Sequence, residues 1–163
     1  RMKGDFKWEK DVVPTYMWFN GTFDRYLAGE KINPAEPVRL ATPIGSRNDP
    51  KARIYPFKIM KGKKPYDSGN NTIAFVQVFG APDSNAYWVK YDWNAAIASG
   101  MKAAGLPYSG KYGFVETDMA WPVHHMVVPK AKSLKCLDCH SEKGRLDWKA
   151  LGYKGDPMNA KNR

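Results

Sequence analysis

Cysteine is scarce in this 163-residue chain, where Cys136 and Cys139 are the only two. A disulfide between residues so close would close a very short loop and stabilise a protein of this size little. Histidine is nearly as scarce, and His124, His125 and His140 are the whole set. No stretch approaches the ~20 apolar residues of a membrane span, so no spanning helix is expected. No apolar signal segment stands at the start, and the chain opens on Arg1. It therefore reads as a processed chain or a piece of a larger one, with any export signal outside it. Acidic residues are the minority charge, 16 Asp and Glu against 26 Lys and Arg, for a net +10. The basic residues are scattered, with short runs only within 61–64 and 130–135. That suits a solvated surface better than a nucleic-acid stripe, so no nucleic-acid partner is expected.

What is present is apolar and aromatic. Hydrophobic residues make up 43% and aromatics 13%, with six Trp and nine Tyr, too many for a chain that stays disordered. The length suggests one domain, 1–163. Residues 1–31 hold Phe6, Trp8, Tyr16, Trp18, Phe19, Phe23 and Tyr26, and the spacing of Tyr16, Phe19, Phe23 and Tyr26 predicts a short helix or helical turn. These rings suit a core, and some could wall a cofactor. Residues 32–52, with four prolines, read as loop. Arg53–Met60 and Thr72–Phe79 read as strands of a hairpin joined by a long loop over 61–71, the second strand covered on both faces. Asp92 or Asn94 is placed to cap a helix over 95–106 that ends near Gly105 and Pro107. A short strand is expected over 113–117. The coarse class is α+β with much irregular chain.

One motif carries chemistry. Cys136-Leu137-Asp138-Cys139-His140 fits Cys-x-x-Cys-His, the attachment site of c-type haem. Two thiols three positions apart on a helical turn face one way and can bond the two vinyl groups along one haem edge. The next residue, His140, then lies under the iron as proximal ligand. A zinc site would have to complete Cys136 and Cys139 with His from the 124–125 and 140 positions, which lack the usual spacing. A thioredoxin-like pair would follow a strand at a helix N-terminus, whereas lysine-rich 130–135 precedes Cys136.

A second axial ligand has few sources. Trp121-Pro122-Val123-His124-His125-Met126 offers two imidazoles, and Pro122 favours extended chain before it. Adjacent residues of an extended segment point to opposite sides, so only one of His124 and His125 reaches a given iron. The intervening chain to His140 spans up to ~50 Å when extended, so reach is no obstacle. Met119, Met126 and Met158 offer thioethers, though methionine more often fills gaps in cores.

Three blocks are familiar together: Trp18-Phe19-Asn20-Gly21-Thr22-Phe23-Asp24-Arg25-Tyr26-Leu27, Trp121–Lys130, and Cys136–His140 followed by Gly144-Arg145-Leu146-Asp147-Trp148. The series resembles the C-terminal region of octahaem tetrathionate reductase-type cytochromes c. In that family the His of a Trp-Pro-x-x-His-Met block is a distal haem ligand, which the resemblance maps onto His125. Family members carry eight haem motifs and this chain one. The family's lysine-ligated reaction haem belongs to a part not represented here, so no Lys inherits that role.

The resemblance therefore implies a single domain, 1–163, that is the C-terminal section of a larger multihaem cytochrome, with the haem-binding part at about 112–155. Its fold would be α+β, with much irregular chain, a small hairpin or sheet, and short helices packed around one c-type haem. The expected function is an electron-transfer module with one covalently attached haem c, bonded by Cys136 and Cys139. Its axial ligands would be His140 and His125, and its partners other haem-carrying chains or domains. The alternative is part of a multihaem reductase for small sulfur or nitrogen oxyanions, drawn in by the basic surface, whose active haem lies outside this chain. A third expectation is an assembly domain whose aromatic first block docks a multihaem partner. Haem attachment of this kind implies a periplasmic or extracellular location.

Overall fold

The computed structural model describes residues 9–124 and 128–162. Its architecture is α+β, and the described residues form six strands, three α-helices and two 3-10 turns with much irregular chain between them. No helix among the described residues is long and apolar enough to cross a membrane. The chain divides into two compact units. The first takes the described residues up to Thr22, Pro43–Lys58 and those from Trp121 on; the second takes Phe23–Thr42 and Ile59–Ala120.

In the first unit, β1 (Thr15–Phe19) pairs antiparallel with the start of β4 (Arg53–Asp67), Thr15 opposite Phe57 and Phe19 opposite Arg53. The 3-4-3 aromatic spacing suggested a helix here, and the structure has a strand instead. The residues are good strand formers, and the antiparallel partner over 53–57 supplies the backbone partners that a helix would have made internally. Gly21, at φ +98, then turns the chain before β2 (Phe23–Arg25). Phe57 is fully buried, with the Phe19 ring edge-on to it at 5.5 Å and Tyr55 at 5.8 Å.

The second unit has strand order β5-β4-β6-β3-β2. Here β5 is Thr72–Ile73, β6 Tyr112–Pro122 and β3 Val38–Pro43, and β3 runs parallel to β6. The strand β3 falls inside the stretch expected to be loop, because its prolines flank Val38–Thr42 rather than interrupt it. The expected hairpin exists, but β4 continues to Asp67 and the turn is short. Lys61, Lys63 and Lys64 are exposed on this strand, so their polarity signals a solvated strand rather than a loop.

Residues 74–79 do not form a strand, and Phe75, Val78 and Phe79 are exposed. Helix α2 (Trp93–Ala103) explains the difference. Its backbone lies so close that a Cβ on Gly100 would meet the Phe75 carbonyl oxygen at 2.5 Å. The Gln77 N–H donates to Ala96 O instead of to a neighbouring strand. The cap of α2 is as the sequence suggests, the Asp92 carboxylate accepting from Ala95 N at 3.1 Å. Its buried face, with Ile97 and Met101, packs against Ala74. Val38, Ile73 and Val115 form a second cluster. A short helix, α1 (Tyr87–Lys90), precedes α2.

Candidate functional site

The Cys-x-x-Cys-His motif forms a single helical turn, α3 (Cys136–Cys139). It is set locally. The Lys135 N–H donates to the Asp138 carboxylate at 2.7 Å, and the His140 N–H donates to Cys136 O at 2.8 Å. An acidic side chain in a first helical turn also suits the exposed N–H groups there. The two cysteines form no disulfide; Cys136 is exposed and Cys139 half-buried. Beyond the turn the chain folds back, and the Arg145 N–H bonds Asp138 O at 2.9 Å.

Strand β1 reaches the segment that follows. Tyr16 and Trp18 share one face of it. The Tyr16 hydroxyl accepts from Arg145 Nη1 at 3.4 Å, and the Trp18 indole donates to Leu151 O at 2.9 Å. Two rings of the aromatic first block thus hold the chain downstream of the motif. The Arg47 guanidinium sits over the Tyr153 ring at 4.2 Å in the same unit.

His140 is fixed on two sides. Its Nδ1 lies 2.7 Å from Asp156 Oδ1. An ionised carboxylate only accepts, so Nδ1 carries the hydrogen and Nε2 keeps a lone pair for a metal. The His140 bond, helped by the Met158 N–H at 2.8 Å, holds the Asp156 carboxyl below the ordinary carboxylate range against the opposing effect of burial. The Trp148 ring stacks on the imidazole at 4.9 Å and 24°, and Tyr153 stands perpendicular to Trp148. The Trp148 N–H is buried with no hydrogen-bond partner among the described residues.

These groups fit a haem c. Two accessible thiols and one imidazole with a free Nε2 stand within five consecutive residues. Large apolar side chains stand beside them, Leu137 at 69% exposure and Leu134 at 51%, and would suit the apolar face of a porphyrin. A shallow hollow of about 580 Å³ lies against Leu137, Val13, Ser141 and Arg145. The buried, unpaired indole N–H is a donor the described chain does not use. No group of three or more His, Cys, Asp and Glu suited to a bare metal ion occurs among the described residues.

Of the expected site residues, Cys136, Cys139 and His140 come together on and after α3. His125 lies outside the described residues. His124 is exposed, with Nδ1 2.9 Å from the Tyr55 hydroxyl. Sequence reasoning missed Asp156 altogether, since no spacing rule links it to His140 sixteen positions earlier. Trp148 stood in a recognised block, but nothing in the sequence showed that it stacks on the imidazole.

The family model for bacterial cytochrome c matches residues 1–143. The crystal structure of an octaheme cytochrome c from Shewanella oneidensis is similar to this chain, with 45% identity and a TM-score of 0.87. The match covers 97% of this chain and 37% of that one, so the chain spans little more than a third of its structural relative. No curated protein matches. The chain belongs to the bacterial cytochrome c family, which implies covalently bound haem c.

Proposed function

We propose, from that family membership, that the chain is an electron-transfer module with one haem c, attached through Cys136 and Cys139 and ligated by His140. Haem c held there supplies a one-electron Fe(III)/Fe(II) couple. One observation carries the reading: His140, next to two cysteines on one turn that form no disulfide, has its Nδ1 tied to Asp156 and its Nε2 left over. Tyr16, Trp18 and Trp148 hold the surrounding chain still, so that little rearrangement accompanies gain or loss of charge. The haem-binding part is centred on 112–155, within a single domain formed by 1–163, although Asp156 lies one residue further on. Other haem-carrying chains or domains are the partners, a reading supported by the much greater length of the octaheme relative. The working location is periplasmic or extracellular.

The second axial ligand is His125, on the strength of the Trp-Pro-x-x-His-Met block. His124 is the specific rival, because the Tyr55 hydroxyl engages its Nδ1 and no partner for its Nε2 occurs among the described residues. Replacing imidazole by thioether raises the potential, so His125→Met should shift it upward and alter the low-spin spectrum while His124→Met does little. The reverse pattern assigns the ligand to His124. Silence in both variants means that the His140 haem takes its second ligand elsewhere, from a methionine or another chain, or has an open position, and that this segment serves a neighbouring haem.

The reductase alternative, with small sulfur or nitrogen oxyanions as substrate, is favoured by the net +10 charge. Its active haem would lie outside this chain, so turnover of such an oxyanion by the assembled multihaem protein would support it, and a high-spin or water-bound spectrum of this chain alone would show only that its own iron has an open position. The decisive test of the main reading is a denaturing mass spectrum of protein made in cells proficient in haem attachment. An adduct of one haem supports it. An unmodified mass refutes it.

A further inference from the structure

The acceptor facing His140 is a carboxylate, which carries a full negative charge, rather than a neutral backbone carbonyl. It is also held independently of the imidazole. Asp156 Oδ1 takes the Met158 N–H at 2.8 Å, while its main-chain oxygen accepts from Asn159 N at 3.1 Å and Asn162 Nδ2 at 3.1 Å. The turn over 156–162 thus presents the carboxylate ready-made. Side-chain exposure is 28% for His140 and 24% for Asp156, so water screens the pair only in part. Trp148, stacked on the ring at 4.9 Å, restrains its rotation, so the carboxylate meets Nδ1 in a fixed direction.

We propose that Asp156 is a positioning residue that fixes the His140 tautomer and draws Nδ1–H toward itself, making the imidazole a stronger donor and setting a low reduction potential. This rests on the reading of His140 as an iron ligand. A ligand hydrogen-bonded to a carboxylate is more basic, and greater donation stabilises the more positive Fe(III) state over Fe(II). No bond is made or broken; the proton stays on Nδ1 and shares more of its charge with the carboxylate.

The test is a potentiometric titration of the haem-loaded protein and its Asp156→Asn variant. Asn is nearly isosteric and its amide oxygen still accepts from both His140 and Met158, so the geometry stays and the charge goes. The expected result is a shift of about tenfold toward the reduced form, about 59 mV for a one-electron couple. Haem content and the low-spin spectrum should be unchanged. Asp156→Glu, which restores the charge, should bring the potential back toward the wild type. An Asn variant with full haem and the wild-type potential overturns the proposal and leaves the electron-transfer reading intact. A wild type without bound haem defeats that reading and the proposal with it. Should the Asn variant not fold, NMR of the wild type decides. A slowly exchanging His140 Nδ1 proton supports the proposal, and one exchanging freely with water overturns it.

Discussion

The two units of the chain differ in how completely the polypeptide satisfies its own groups. In the second unit, Asp67 is fully buried, yet it accepts the Gly69 N–H at 3.0 Å, the Asn70 N–H at 3.1 Å and side-chain amide at 2.7 Å, the Ser109 N–H at 2.8 Å and the Ser109 hydroxyl. Ile97 and Met101 are sealed in an apolar cluster nearby. The first unit contains a buried indole N–H without a partner among the described residues, two cysteines that form no disulfide and exposed leucines around a one-turn helix. A buried polar group left unpaired costs on the order of 1–3 kcal/mol, so natural chains rarely leave one without cause. The lesson lies in the buried polar groups: those of one region are met by its own residues, whereas the other keeps a buried donor unused beside its two cysteines, and exposed apolar side chains such as Phe79 and Leu137 occur in both.

The harshest way to break this contrast is to withhold the haem. The double variant Cys136→Ser/Cys139→Ser should carry no haem, and amide exchange over 136–156 should approach that of an unprotected chain while α2 stays protected. Equal protection with and without haem would erase the distinction between the regions. Next in size, Ile97→Ala should destabilise the second unit by about 2–5 kcal/mol in chemical denaturation, leaving the visible spectrum unchanged. Loss of the low-spin bands in folded protein would mean that the regions are not separable in this way.

Acid sharpens the comparison further. Burial alone would raise the Asp67 carboxyl, but the bonds from Ser109 and Asn70 overcome it and hold the value down at about 2, against an ordinary 3.8. The unfolded chain therefore takes up this proton more readily. The stabilisation is present in full above about pH 4 and is lost as pH falls toward 2, on the order of 2 kcal/mol in total. Asp67→Asn should flatten that part of the stability–pH curve, and an unchanged slope would count against the assignment. The smallest effect is expected at the α2 cap, where Asp92→Ala should cost about 1 kcal/mol in thermal or chemical unfolding without altering the spectrum.

The same contrast governs how much could be seen in the sequence. Helix α2 was legible because its signals are local: a capping Asp92, buried residues at helical spacing, then Gly105 and Pro107. The attachment turn was legible for the same reason, with everything that defines it inside Lys135–His140. Strand β1 was misread because aromatic spacing imitates a helix, and the deciding partner lies at 53–57. Residues 74–79 look like a strand until the close approach of Gly100 is known. Asp156 could not be read at all, since irregular chain brings it to His140 and irregular chain leaves no period.

The locality of α3 has a consequence in time. The bonds that shape it join residues no more than four apart, whereas Arg145 to Tyr16 spans 129 positions and Trp18 to Leu151 spans 133. Contacts of short span close early and those of long span late, because distant segments must find each other first. A one-turn helix is only fleetingly populated in an open chain. Fleeting is sufficient for a covalent event, which captures each visit and keeps it. On these separations the attachment turn is available first, and the clamps from β1 close afterwards on Arg145 and Leu151, downstream of a motif already committed to its place.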